Sequence, residues 1–300
     1  MKNYEELTFA DNFMFCKILE ENEDLCREMA ELILGRKIGN IVKDPQSEKA
    51  VKLTADGHGV RFDVYFEDDE QSIYDIEMQT SESKELPKRS RYYQGMLDLN
   101  YLKQGKKYKD LPNSYIIFLC TFDLFKRGFH KYSFNPTSNE DSTLKLDDGT
   151  NRIFICAGGT KNDISDDLAS FIDYLTGKIS ENPLVQDLER KVQEALNDQR
   201  WKAEYMTFQD ILDDEYERGI GEGIQQGTKR EQRKNLCKLI RQVLKNHKAG
   251  KTIEEIADVL DESEDYIRRI VEVSEKFAPE YDVEKIADAL LEDDNEDKHS

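Results

Sequence analysis

The run Val60-Arg61-Phe62-Asp63-Val64-Tyr65-Phe66, followed by Ile73-Tyr74-Asp75-Ile76-Glu77-Met78-Gln79, decides the fold of this chain. Each run alternates large apolar residues with polar or mixed ones, which is the period of a β-strand with one buried face. The acidic segment between them, residues 67–71, is typical of a turn. We therefore expect a β-hairpin at this point.

Acidic side chains share one face of the predicted hairpin. Alternation groups the residues of this face as Arg61, Asp63 and Tyr65 on the first strand, and Asp75, Glu77 and Gln79 on the second. The other face holds Phe62, Val64 and Phe66, then Tyr74, Ile76 and Met78. The register follows if the turn pairs Phe66 with Ser72. Asp63 then lies opposite Asp75 and diagonal to Glu77, at about 5 Å and about 7–8 Å.

The three acids Asp63, Asp75 and Glu77, here called the carboxylate cluster, would repel one another unless a cation or a proton compensates their charge. Ligands with oxygen donors only suit Mg²⁺ or Mn²⁺. Such an ion can polarise a phosphodiester oxygen and lower the pKa of an attacking water. Metal-assisted phosphodiester hydrolysis is therefore a reaction that an ion in such a cluster could support. For Asp75 the alternative interpretation is one acid of a solvated strand face.

The flanking sequence predicts an α/β fold with a central mixed sheet between helices. Residues 8–34 read as two helices, with Thr8 and Asn22 as N-caps, and residues 86–105 as a third. The third helix is expected to present Met96, Leu97, Leu99 and Leu102 to a core. The apolar run 114–120 suits a central strand buried on both faces. Residues 129–134 and 152–157 read as short strands, and residues 163–176 as a helix.

After about residue 180 the chain becomes charged and helical. We predict an α/β domain at 1–200, a glycine-spaced and then basic connecting segment at 201–250, and a small acidic helical region at 251–300. Gly219, Gly223 and Gly227 recur every fourth residue, which offers either a smooth helix side for another backbone or a flexible break. Residues 251–273 resemble a helix-turn-helix, but the acids opening its second helix oppose DNA reading and favour protein interaction.

Composition limits the classes of function. With 300 residues, 38% of them hydrophobic, the chain can bury one sizeable core and a smaller one. A net charge of −20 restricts any contact with DNA to a local surface. The five cysteines and four histidines show no zinc-ligand spacing. No run reaches the roughly 18 apolar residues of a membrane helix, so we expect a cytoplasmic protein without membrane contact.

Several of these residues together resemble a known family. The pattern Phe62-Asp63 with Ile76-Glu77-Met78-Gln79, continued by Arg89-Ser90-Arg91-Tyr92-Tyr93-Gln94 and the strand 115–120, resembles the recombination-promoting nuclease and transposase family. That family belongs to the PD-(D/E)XK nuclease superfamily, and the resemblance covers about residues 5–200. It implies a restriction-endonuclease-like fold.

The resemblance also implies roles for individual residues. Asp63 and Glu77 would bind the metal, and Asp11 would complete its ligand shell. Gln79 stands where most of the superfamily has lysine, and a neutral amide can orient a water or phosphate but supplies no positive charge. Arg89 on the following helix is the expected substitute for that charge, although it could equally belong to a helix face that packs on the sheet.

Two hypotheses follow for the function. The first is a Mg²⁺-dependent endodeoxyribonuclease, with Mn²⁺ as a possible replacement, that acts on DNA in recombination, mobile-element movement or defence. In this hypothesis the helices after residue 205 provide a surface for a homodimer. The second is a catalytically inactive protein of the same fold that serves as an interaction or regulatory module.

Overall fold

The computed structural model describes residues 2–51, 60–102 and 107–296, and these residues form six strands and nine α-helices. The strands are β1 Ile41–Val51, β2 Val60–Asp68, β3 Ser72–Gln79, β4 Asn113–Cys120, β5 Lys131–Phe134 and β6 Thr150–Cys156. The helices are α1 Asn12–Glu21, α2 Glu23–Leu34, α3 Leu86–Tyr101, α4 Asp166–Leu175, α5 Pro183–Leu196, α6 Gln199–Lys248, α7 Ile253–Leu260, α8 Glu264–Glu275 and α9 Val283–Glu296.

The strands form one mixed sheet in the order β1-β2-β3-β4-β6-β5. The first three strands are antiparallel neighbours, β3, β4 and β6 run parallel, and β5 returns antiparallel to β6. Strand β4 lies between two parallel neighbours, and its residues from Ile116 to Cys120 are buried. The predicted α/β class with a central mixed sheet is confirmed, because the hairpin and the apolar run occupy adjacent places in the sheet.

Helices cover both faces of the sheet. One face packs on α1, α2, α4 and α5 through a core that includes Val64, Phe66 and Ile76. The other face packs on α3 through a second core. Residue Phe62 belongs to this second core, so the predicted grouping of Phe62 with Val64 is wrong. The pairing of β2 with β3 starts at Val64, and beyond it the Phe62 ring packs against Tyr93 with centroids 5.3 Å apart.

Three details of the predicted elements need correction. The helix α1 starts after Asp11, and Thr8 is one turn too early to cap it. In α3, Met96 and Leu97 are buried as predicted, but Leu99 is 61% exposed because it lies on the solvent side of the helix. Strand β1 has no counterpart in the prediction, since its charged residues and Pro45 hide the strand pattern. It lies at the sheet edge, where proline and charge are tolerated.

The chain divides into two compact units, Met1–Thr207 and Phe208–Ser300. In the second unit the C-terminal part of α6 packs with α7, α8 and α9 around Ile240, Ile256, Ile270 and Ile286. Thr252 and Ser263 cap α7 and α8, as their positions before the acidic first turns favour. Within the described ranges, no helix combines the length and the apolar content needed to cross a membrane.

A buried acid fixes the turn between β2 and β3. Asp68 is only 2% exposed, and its carboxylate accepts hydrogen bonds from the amides of Gly39, Glu70 and Ser72. The Tyr74 hydroxyl donates a further bond of 2.8 Å. A side chain at Gly39 would lie within 3.2 Å of this carboxylate group, so glycine allows the close approach. The turn and the register of the hairpin therefore depend on one side chain.

We expect Asp68→Ala to lower the free energy of unfolding of the first unit by about 3 kcal/mol, because it leaves buried donors without their acceptor. Urea denaturation followed by tyrosine fluorescence measures this change. Glu70→Ala, in the same turn but exposed, is the matched control and should change stability little. Equal effects of the two substitutions would contradict the role assigned to Asp68.

Candidate active site

The acids of the hairpin meet in a register that differs from the predicted one. Phe66 pairs with Tyr74, and Tyr65 pairs with Asp75. The predicted pairing of Phe66 with Ser72 is therefore wrong by two residues. The physical reason is that β2 continues to Asp68, whose bonds close a short turn, while the Phe66 and Tyr74 rings stack 4.7 Å apart. Continued along the strands, this register brings Asp63 opposite Glu77.

Asp63 and Glu77 are linked by hydrogen bonds between their carboxylates and backbone amides of the opposite strand. The amide of Asp63 donates to Oε1 of Glu77 at 3.0 Å, and the amide of Met78 donates to Oδ2 of Asp63 at 3.0 Å. Each carboxylate thus accepts a bond from the strand that carries the other. This exchange keeps both acids at one end of the hairpin, and it brings together the two residues predicted to carry the chemistry.

Asp75 is the most deeply buried member of the carboxylate cluster. Its side chain is fully buried, and neither oxygen accepts a hydrogen bond from a donor among the described residues. Burial, together with the charges of Glu77 and Asp63, holds the pKa of Asp75 well above its usual range. The interpretation of Asp75 as part of a solvated face is therefore wrong, because helix α3 covers this side of the hairpin.

Glu77 is also buried, and its surroundings shift its pKa in opposite directions. Its side chain is 1% exposed. Burial and the charge of Asp63 raise the pKa of Glu77, while the guanidinium of Arg89 acts in the opposite direction. The net direction is upward. Burial and the charge of Asp63 therefore outweigh the contact with Arg89 at Glu77.

Arg89 reaches the cluster from the first turn of α3. Its Nη2 donates to Oε2 of Glu77 at 2.5 Å, and its Nη1 donates to Oε1 of Gln79 at 3.2 Å. Its Nε donates to the Tyr93 hydroxyl at 2.7 Å. The guanidinium also lies 5.6 Å from the centroid of the Phe118 ring. Arg89 thus lies on the helix face that packs on the sheet, and there it contacts two of the predicted site residues.

Gln79 closes the exposed side of this arrangement. Its Oε1 accepts from Arg89, and its Nε2 donates to the carbonyl of Ser81 at 2.9 Å. Both ends of the amide are thereby oriented. The side chain is half-buried, in contrast to Glu77 two residues earlier on the same face. Approach to the cluster from solvent therefore passes Gln79, Arg89 and Asp63.

Tyr93 contacts Arg89 beside the cluster; the sequence leaves open whether Tyr93 has a role in the site or belongs to a helix face that packs on the sheet. It lies one helical turn after Arg89, binds its Nε and stacks under its guanidinium at 4.9 Å. The spacing of four residues on a helix was the available signal, because such residues share one face. Neighbouring Tyr92 is 42% exposed.

Asp11 has other partners. Its carboxylate accepts from the amide and hydroxyl of Thr8, at 2.8 and 2.9 Å, and from Nζ of Lys2 at 2.8 Å. The described side chains contain no group of three or more His, Cys, Asp or Glu arranged to hold a metal ion. A role for Asp11 as a third metal ligand would therefore require it to leave Lys2.

The carboxylate cluster has the ligand chemistry of a divalent-cation site, but its described side chains are not arranged as a group of three ligands. The two buried oxygens of Asp75 accept no hydrogen bond from a described donor, and the cluster offers oxygen ligands only. The guanidinium of Arg89 forms an ion pair with Glu77 in this cluster. The constraint is that both Glu77 oxygens already accept hydrogen bonds. A cation bound to Glu77 would have to share or replace the contact with Arg89.

A mixed sheet flanked by helices, with an Asp and a Glu clasped on its hairpin, defines a nuclease fold of the restriction-endonuclease-like class. Residues 10–156 match the family model described as PD-(D/E)XK nuclease family transposase, the superfamily that the sequence resembles. The expected resemblance is confirmed. The match supports a nuclease-like or transposase-related function. No curated protein and no solved structure matches the chain.

We expect Asp75→Asn to stabilise the metal-free protein at alkaline pH. A carboxyl whose pKa is raised by folding binds its proton more tightly in the folded state, so stability falls as pH rises above about 4, the unfolded pKa. The amide removes this loss. Thermal denaturation in the presence of a chelator should show the largest gain for the variant at pH 8.

The gain from Asp75→Asn should shrink as the pH is lowered, because wild-type Asp75 is then protonated in both states. Glu85→Gln, an exposed position before α3, serves as the control and should follow the wild type at every pH. A variant that is less stable than the wild type at pH 8 and not at low pH would contradict the assigned direction.

Proposed function

We propose that the first unit is a metal-dependent endodeoxyribonuclease that hydrolyses phosphodiester bonds at the carboxylate cluster. The observation that carries this proposal is the clasped pair Asp63 and Glu77 beside the buried acid Asp75, in a chain segment that matches the PD-(D/E)XK family. Recombination, mobile-element movement and defence are the processes that such an activity would serve.

The proposed cofactor is Mg²⁺, with Mn²⁺ as a substitute. Asp63 and Glu77 would hold the ion, and Asp11 is the candidate third ligand if it exchanges Lys2 for the metal. When bound, the ion would polarise a phosphodiester oxygen and lower the pKa of an attacking water. The low dielectric around Glu77 strengthens these electrostatic effects.

The protein's own residues have separate tasks in this proposal. Gln79 orients a water or a phosphate oxygen through its amide, which the bonds to Arg89 and Ser81 fix in place. Arg89 supplies the positive charge that the usual lysine gives elsewhere in the superfamily. Asp75, with its raised pKa, holds a proton within the cluster and so reduces the repulsion between the other two acids.

Local positive charge supports DNA as the substrate. The first turns of α3, which carries Arg89, also expose Lys88 and Arg91 to solvent. Cations beside the site can displace counterions from the DNA backbone, and they do so without changing the acidic character of the whole chain. The proposed contact with DNA is therefore confined to the surroundings of the cluster.

Cleavage of plasmid DNA tests the proposal. We expect Mg²⁺-dependent nicking or linearisation, and a loss of at least roughly a hundredfold in Asp63→Asn and Glu77→Gln, because each removes a ligand charge. Asp69→Asn, an exposed acid in the turn of the same hairpin, is the matched control and should retain activity. Activity that survives in both cluster variants would place the reaction elsewhere.

The second candidate function is that of an inactive nuclease-fold protein, and the contact of Arg89 with Glu77 favours it, since a guanidinium already occupies one oxygen of the proposed metal ligand. Calorimetric titration with Mn²⁺ separates the two functions. Binding that depends on Asp63 and Glu77 supports the nuclease. Absence of binding to a folded wild-type protein supports the inactive module.

Arg89→Gln gives a further test of the metal site that does not depend on cleavage. We expect this variant to bind Mn²⁺ on the order of tenfold more tightly than the wild type, because a competing cation is removed from Glu77. Arg89→Lys retains the charge and serves as the control. Weaker metal binding in Arg89→Gln would show that Arg89 positions Glu77 for the ion instead of competing with it.

A further inference from the structure

Helix α6 carries an apolar face in its middle section. Residues 216–230 are exposed at every position. Large side chains among them, Tyr216, Ile220 and Ile224, are 70%, 45% and 65% exposed. Such side chains recur every fourth residue, and a helix places residues with this spacing on one side. The section therefore presents a row of large apolar groups to solvent.

A row of glycines runs beside the large residues. Gly219, Gly223 and Gly227 have the same spacing, and each follows a large residue by three positions, so the two rows are neighbours on the helix surface. A Cβ at any of these glycines would meet no atom within 4 Å. We call the combined surface the glycine face; it consists of Tyr216, Gly219, Ile220, Gly223, Ile224 and Gly227.

The glycine face is complementary to itself when two copies run antiparallel. With Ile220 of one copy at the level of Gly223 of the other, the helical repeat places Ile224 at the level of Gly219. It also places Tyr216 at the level of Gly227. Every large residue then meets the gap left by a glycine, and two backbones can approach closely. A parallel pair in register would instead set large residues against large residues.

Charge on either side of the glycine face selects the same orientation. Residues 208–217 contain five acids, Asp210, Asp213, Asp214, Glu215 and Glu217, and no lysine or arginine. Residues 228–238 contain the cations Lys229, Arg230, Arg233, Lys234 and Lys238 against the single acid Glu231. An antiparallel pair sets the acidic stretch of each copy beside the basic stretch of the other. A parallel pair would set like charges together.

The same register brings opposite charges to one level. With Ile220 at the level of Gly223, Asp213 of one copy falls at the level of Arg230 of the other, and Asp214 at that of Lys229. Apolar fit and charge therefore agree on one alignment. Glycine also lowers the intrinsic stability of an exposed helix, and packing against a partner would compensate for this loss.

We propose that the glycine face of α6 is the interface of a homodimer in which two α6 helices pack antiparallel. The partner is a second copy of this chain. The glycine face provides both the large side chains and the glycines opposite them, and in an antiparallel pair the acidic stretch of each copy lies beside the basic stretch of the other. The proposal deepens the expected role of the C-terminal helices and does not require the carboxylate cluster to be active.

The mass of the full-length chain in solution tests the interface. We expect a dimer by sedimentation equilibrium at micromolar concentration. Gly223→Leu should weaken dimerisation by about tenfold to a hundredfold, because two bulky side chains are forced into the closest contact. Gly221→Leu is the matched control, since it adds the same side chain on another side of the helix. It should leave the dissociation constant unchanged.

Circular dichroism excludes a loss of helix as the cause, because leucine favours the helix at both positions. A wild-type monomer at micromolar concentration overturns the proposal and leaves the face to a different protein. A dimer equally strong in both leucine variants also overturns it, since the contact must then lie elsewhere.

Cross-linking tests the antiparallel orientation. Asp213→Cys and Arg230→Cys are prepared as separate proteins, mixed, and treated with a short bismaleimide; the five native cysteines are buried. We expect cross-linked dimer in the mixture and little in either variant alone. Efficient cross-linking of each variant with itself would indicate a parallel pair and overturn the proposed alignment.

Discussion

The burial of negative charge on the hairpin is the constraint on which the rest of the first unit depends. Three carboxylates lie within one side of β2 and β3, two of them almost without contact with water. Such an arrangement is unfavourable unless protons, cations and hydrogen-bond donors compensate it. The backbone amides of Asp63 and Met78, the guanidinium of Arg89 and a raised pKa at Asp75 each supply part of that compensation.

Helix α3 contributes Arg89 to the compensation of this negative charge, and it therefore packs on the face of the sheet that carries the acids. It follows the hairpin directly and covers the face that carries the acids, so that Arg89 and Tyr93 point into the cluster while Met96 and Leu97 fill the core beyond it. The apolar surroundings make each charge interaction stronger, and they make an uncompensated charge more costly.

The sequence was sufficient to predict the hairpin, the central strand β4 and the meeting of Asp63 with Glu77, because all three follow from the two-residue period and from apolar runs. It was not sufficient for the register. That depends on Asp68, whose partners include Gly39, a residue distant in sequence. The burial of Asp75 was missed for a related reason, since it is the packing of α3 and not the local pattern that removes water. Arg89 was identified as a candidate, but its simultaneous contacts with Glu77 and Gln79 required the structure.

The short turn closed by Asp68 limits how this part of the chain can vary. Surface loops commonly accept insertions and deletions at little cost, but here one residue more or fewer between β2 and β3 would shift the pairing of the strands. A shift by one position exchanges the two faces of a strand, and would direct an acid into the apolar core under α1 and α2. Length variation among related chains is therefore expected to avoid residues 69–71 and to accumulate in other connections.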